Sequence, residues 1–205
     1  MIREFFLGIA ALAGRKDTGV APPPARRMVM LIIIATVPLF VMVFLQDAVN
    51  QLFSNSIMVS CALLATGFIL FFSDRMARGH KTAKNATVAD ALIVGCGQAL
   101  AVIPGLSRSG TTISVGMMRG FDRAFAVRFS FLMSLPAVLG ANVLEIKDAL
   151  ASNFPIEELP MYLVGVAVSA VVGYFAIRLV KSLSDKGKFG KFAYYCWAVG
   201  LGSLV

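Results

Sequence analysis

Charged side chains are scarce in this sequence: Asp, Glu, Lys and Arg make up 15% of its 205 residues, against roughly 25% in water-soluble domains. With 58% hydrophobic residues and a mean hydropathy of +0.81, a chain of this length cannot hide its apolar excess in one core, which excludes a soluble enzyme. Histidine occurs once, as His80, and cysteine three times, as Cys61, Cys96 and Cys196. The cysteines stand singly in apolar stretches, form neither a paired framework nor a C-x-x-C ligand spacing, and read as small buried hydrophobes. No ligand set for a metal is visible. Disorder is excluded by 16 Phe, 10 Met and long Ile/Leu/Val runs. The formal charge is +8, but the bases fall in short clusters without aromatic interleaving, so a nucleic-acid partner is excluded too.

What is present is a series of apolar runs, near residues 28–45, 57–72, 129–144, 161–180 and 192–205, each long enough to cross or nearly cross a hydrocarbon core of about 30 Å. They predict an all-α, polytopic membrane bundle formed by residues 1–205 as a single membrane domain. The connections sort by charge. Arg15, Lys16, Arg26 and Arg27 share one, Arg75, Arg78, Lys81 and Lys84 another, and Lys181, Lys186, Lys188 and Lys191 a third. These belong to the cytoplasmic side, whereas Asp47, and Glu145, Lys147, Asp148, Glu157 and Glu158, mark neutral or acidic outer connections.

The stretch near residues 88–120 follows one basic loop and ends at Arg119, Arg123 and Arg128, so it enters and returns on one side. Val88 to Ile103 would give a helix of about 24 Å and Thr111 to Arg119 one of about 14 Å, so the return leg cannot span alone. A re-entrant hairpin follows, with its tip at Pro104-Gly105-Leu106-Ser107-Arg108-Ser109-Gly110 and a second helix starting near Gly110. At the front, Phe5 to Ala13 is apolar but has Glu4 before it and Arg15 and Lys16 after it. Those are the wrong flanks for a cleaved signal, and the stretch reads as the closing turns of a helix.

Arg108 is the first candidate for chemistry, because a guanidinium near membrane depth is costly unless it meets an aqueous cavity or an anion. Ser107, Ser109, Thr111 and Thr112 surround it with hydroxyls, and a helix start adds free amides and the positive end of a dipole. Such a set suits phosphate, whose oxygens accept two parallel bonds from arginine. The bland alternative is a structural pin bonded to carbonyls at the helix break. Elsewhere Gly165, Ser169 and Gly173, and Gly116 with Gly120, read as close helix-packing faces. Tyr194, Tyr195 and Trp197 read as an interfacial belt, and His80 as a solvated loop residue.

The run from Gly97 through Thr112, with its contiguous P-G-L-S-R-S-G-T-T, closely resembles the signature P-G-x-S-R-S-x-x-T of bacterial undecaprenyl-diphosphate phosphatases, the bacitracin-resistance family. The order of spans continues the resemblance over essentially the whole chain. It implies inverted repeats, each carrying a re-entrant hairpin, with the tips meeting in one cavity. It also implies dephosphorylation of undecaprenyl diphosphate for recycling of the cell-wall lipid carrier, in the bacterial cytoplasmic (inner) membrane. Arg108, Ser107 and Ser109 are then the catalytic residues, and Gly105, Gly110, Thr111, Thr112 and Gln98 hold the polyprenyl diphosphate. Gln98 could equally satisfy the backbone freed at Pro104. A divalent cation, Mg or Ca, is implied as cofactor.

The family's N-terminal hairpin, with paired glutamates, a nucleophilic serine and a histidine, has no match here. The chain is therefore expected to lack its front portion, to carry the phosphate-binding half of the site, and to be nearly inactive alone. An N-terminal fragment or a homo-oligomer would complete it. Apart from Asp90 at a helix start, no carboxylate lies in a predicted membrane segment, so hydroxyls are supplied without a base. A rival from another class is a membrane anion or lipid-phosphate transporter using the same broken helix. A histidine-dependent lipid phosphatase fails, since His80 is alone.

Overall fold

The computed structural model describes residues 24–45, 49, 51–52, 56–76, 79–151, 159–186 and 189–204. The expectations for residues 1–23, and for Asp47, Arg78, Glu157, Glu158 and Lys188, lie outside them. The described elements are helices: α1 (Pro24–Phe44), α2 (Ser56–Met76), α3 (Val88–Leu100), α4 (Arg108–Met118), α5 (Arg123–Ala151), α6 (Leu159–Asp185) and α7 (Phe192–Gly202). Stretches within α2, α5 and α6, namely Ser56–Arg75, Arg123–Lys147 and Pro160–Leu183, are long and apolar enough to cross a membrane. This is an all-α membrane bundle, the solution that satisfies every backbone N–H and C=O without water.

Several helices outrun the apolar stretches that predict them. α5 begins at Arg123 instead of Phe129, and α6 continues to Asp185, because backbone bonding does not stop where side chains turn polar. α7 is 11 residues long, about 16 Å. α3 ends at Leu100, earlier than Ile103, and α4 starts at Arg108, ahead of Gly110.

α1 packs along α3, α7 lies along α2, and α4 is seated among α2, α3 and α5. The core gathers Ile32, Ala35, Val94, Ile113, Met117, Phe129 and Met133. Phe121, Phe125 and Phe129 form a tilted and edge-on ring cluster with centroids 4.8 and 5.7 Å apart along the chain of contacts from Phe121. The basic helix ends collect at one end of the bundle. Arg27 donates to the Ala86 carbonyl at 3.0 Å, Arg123 pairs with Asp74, and Lys81 and Arg119 meet Asp90.

Four surface expectations are corrected. Gly165 and Gly173 on α6 have open space beside them among the described residues, so this stripe packs no helix there. Gly116 does abut Phe121 and Ala126, but Gly120 has φ +86° and stops α4 in the left-handed region glycine favours. Trp197 packs at a tilt against Phe68 and Phe71 of α2, while Tyr194 and Tyr195 remain exposed. Cys61 and Cys96 are exposed, and Cys196 is buried. His80 is exposed, as the sequence implies.

Candidate functional site

α3 and α4 form a hairpin whose two ends are tied together. Thr87 caps α3 through the Asp90 amide, and Asp90 bonds back to the Thr87 amide in a reciprocal capping box. The fully buried Asp90 carboxylate also accepts from Lys81 at 2.8 Å and from Arg119, at the end of α4, at 2.9 Å. Lys81 donates its amide to Gly120, and Asp122 donates to Lys81. The chain thus returns to the face it left, as the charge pattern requires.

The tip leans on α2. Gly105 has φ +91°, and a Cβ there would overlap the Val59 carbonyl oxygen, so this position takes no other residue without displacement. The Thr66 hydroxyl, 1% exposed, accepts from the Ser107 amide at 3.2 Å and lies 3.2 Å from the Gly105 carbonyl. Thr66 is about 15 Å along α2 from Met76, which sets the tip roughly halfway through an apolar helix.

Ser107 is the N-cap of α4, its Oγ accepting from the Gly110 amide at 3.2 Å. That bond makes Gly110 the third helical residue and explains why the helix starts earlier than the sequence alone implies. The first-turn amides of Arg108 and Ser109 precede any intrahelical acceptor.

A cavity of about 360 Å³ opens beside the tip. Gly105, Ser107, Ser109, Gly110 and Thr66 line one side, and Leu63, Leu70, Val180 and Phe192 supply apolar walls. A larger hollow of about 560 Å³ on the exposed face of α6, beside Gly165 and Ser169, has no charged group in its lining.

Of the residues singled out from sequence, Gly105, Ser107, Ser109 and Gly110 share this cavity. Arg108, between Ser107 and Ser109 in the chain, is half-buried and not among the residues lining the cavity; its Nε is buried and unpartnered. Among the described residues its guanidinium makes no hydrogen bond or ion pair, so the carbonyl-pin alternative has no support there. Thr111 Oγ1 and Gln98 Nε2 are likewise buried without partners, an arrangement that costs about 1–3 kcal/mol per group unless something supplies the bond. Thr112 is placed differently: its hydroxyl bonds the Arg108 carbonyl at 2.9 Å and the Ser130 hydroxyl at 2.6 Å inside the bundle. Thr66 and Ser130 escaped the sequence reading. Their only signal is a hydroxyl in an otherwise apolar run.

The described residues do not fit the divalent cation that the resemblance implies. Among the described residues, no group of three or more His, Cys, Asp or Glu could hold one. Asp74 and Asp90 are already paired with arginine and lysine, and the cavity lining has neither carboxylate nor imidazole. The second hairpin implied with it has no counterpart among the described residues.

Fold and site together define a polytopic helical membrane protein with a hydroxyl- and guanidinium-bearing hairpin tip beside an apolar cavity. Residues 2–202 match the model of the family described as Bacitracin resistance protein BacA, and the chain belongs to that family. Three curated relatives are named Undecaprenyl-diphosphatase. The protein from Halothermothrix orenii is 40% identical over 88% of this chain and 70% of its own length. That from Methanobrevibacter smithii is 39% identical over 98% and 73%. That from Methanothermobacter thermautotrophicus is 42% identical over 83% and 96%.

Proposed function

We propose that the chain is an undecaprenyl-diphosphate phosphatase, removing the terminal phosphate to leave undecaprenyl phosphate for reuse as a cell-wall lipid carrier. The observation that carries this is the α4 N-terminus: Ser107 and Ser109 line an apolar cavity there, and between them Arg108 has a buried Nε with no partner among the described residues. Family membership and the names of the relatives support the same activity.

In the reaction, water attacks the terminal phosphorus, the bond to the bridging oxygen breaks, the lipid phosphate leaves with the electron pair, and the proton lost by the water passes to a phosphate oxygen of the products. Arg108 engages two phosphoryl oxygens, while the Arg108 and Ser109 amides and the Ser109 hydroxyl bind a third. As charge builds on those oxygens, these preorganised donors stabilise it. The lining offers hydroxyls without a base, so its contribution is electrophilic. Leu63, Leu70 and Phe192 face the prenyl chain.

The membrane is the cytoplasmic membrane, with the basic end of the bundle inside. Its bacterial assignment rests on the hairpin signature, since the relatives include archaeal proteins. Neither the relatives nor the described residues support an N-terminal fragment, a second copy or a transporter.

Purified chain in vesicles containing undecaprenyl diphosphate tests the proposal. Inorganic phosphate appearing one for one with loss of the diphosphate supports it. Protein-dependent movement of the lipid diphosphate between leaflets with no phosphate released contradicts it in favour of a carrier.

A further inference from the structure

Thr66 is buried midway along α2, a hydroxyl in an otherwise apolar run. Helical threonines ordinarily return their proton to the carbonyl one turn back, and Thr66 does so with Ala62 at 3.0 Å. Unusually, the same oxygen accepts from the Ser107 amide at 3.2 Å, and its proton is shared with the Gly105 carbonyl at 3.2 Å. One hydroxyl therefore grips both sides of Leu106. Val59 and Ala62, a turn or more away on α2, press on Gly105 from the same side.

We infer that Thr66 is a positioning residue for phosphoryl transfer: its hydroxyl fixes the turn from Gly105 to Ser107, and so the direction in which Ser107, Arg108 and Ser109 present their donors. The inference rests on the phosphatase reading for its kinetic consequence. Valine has nearly the same shape as threonine and suits an apolar helix, but it leaves the Ser107 amide and the Gly105 carbonyl without that partner. The tip then relaxes toward other partners while α2 and α7 stay packed. Serine keeps the hydroxyl and gives up only a methyl group.

The test compares the parent chain with Thr66→Val and Thr66→Ser, measuring phosphate release from undecaprenyl diphosphate and amide exchange in the same preparations. Because misplacement by about 1 Å costs up to about a hundredfold in turnover, Thr66→Val should lower kcat about tenfold or more. Its KM should change by less than about threefold, and Thr66→Ser should hold kcat within about threefold of the parent. Exchange across residues 105–109 should quicken about tenfold in Thr66→Val, with α2 and α7 unchanged. Parent-like turnover and exchange in Thr66→Val would overturn the inference. So would a Thr66→Ser variant as impaired as Thr66→Val, which would give the role to the methyl group. A parent that releases no phosphate overturns the phosphatase reading instead, and exchange at the tip then decides the role of Thr66 alone.

Discussion

Ser107 and Ser109 stand two residues apart on the tip and have different physical duties. Ser107 closes the first turn of α4 by accepting from the Gly110 amide, so Ser107→Ala removes a cap and should cost about 1 kcal/mol of stability. Ser109 lines the cavity with a hydroxyl that makes no described hydrogen bond. Ser109→Ala should leave stability within about 0.5 kcal/mol yet lower turnover about tenfold through a lost bond to phosphate. Thermal midpoints in detergent, set beside phosphate release, check the contrast, and equal stability losses in both variants would contradict it. The signature singled out both serines as candidates for the site. The capping duty was not, because a serine at a helix start and a serine at a phosphate look alike in sequence until the helix start is known.

The α3–α4 hairpin works as one element because its base is clamped. Burial opposes ionisation of Asp90, and hydrogen bonds from Lys81, Thr87 and Arg119 outweigh it, holding the carboxyl below its ordinary value. A carboxyl depressed in the folded protein contributes stability that is present above its unfolded value, near about 3.9, and is lost only as pH falls through the lower folded one. Asp90→Asn should therefore lower stability by about 2 kcal/mol. That deficit should be constant from pH 8 to 5 and narrow only below about pH 4. Unfolding in detergent across this range measures it, and a deficit that vanishes between pH 7 and 5 would contradict the clamp. That the segment returns to its own side was legible from a return leg too short to span and bases at both ends. The clamp was not, since Lys81, Asp90 and Arg119 meet only once the hairpin has formed.

At the scale of the whole molecule, the charge asymmetry read from sequence becomes a geometric fact, because Arg27, Lys81, Arg119 and Arg123 converge on one end of the bundle. That end should face the cytoplasm. In a background without Cys61, Cys96 and Cys196, a cysteine from Lys84→Cys should label from inside only and one from Glu145→Cys from outside only. The reverse pattern would invert the topology. Helix positions were legible because long apolar runs have one stable form in lipid. Which helices touch was not, since Gly165 and Gly173 share the spacing of a packing face but meet nothing described, while Trp197 lies against α2. The most direct measurement is phosphate release from undecaprenyl diphosphate by folded Arg108→Lys against the parent, with Arg178→Lys as control. Lysine keeps the charge at position 108 but loses the planar fork, and Arg178 lies over the Tyr174 ring on α6 and is not among the residues lining the cavity. Arg108→Lys should lose about 3–4 kcal/mol of transition-state stabilisation, a few hundredfold in turnover, with Arg178→Lys within about twofold of the parent. Parent-level turnover by Arg108→Lys, or by a folded Arg108→Ala, would contradict the assignment of the site.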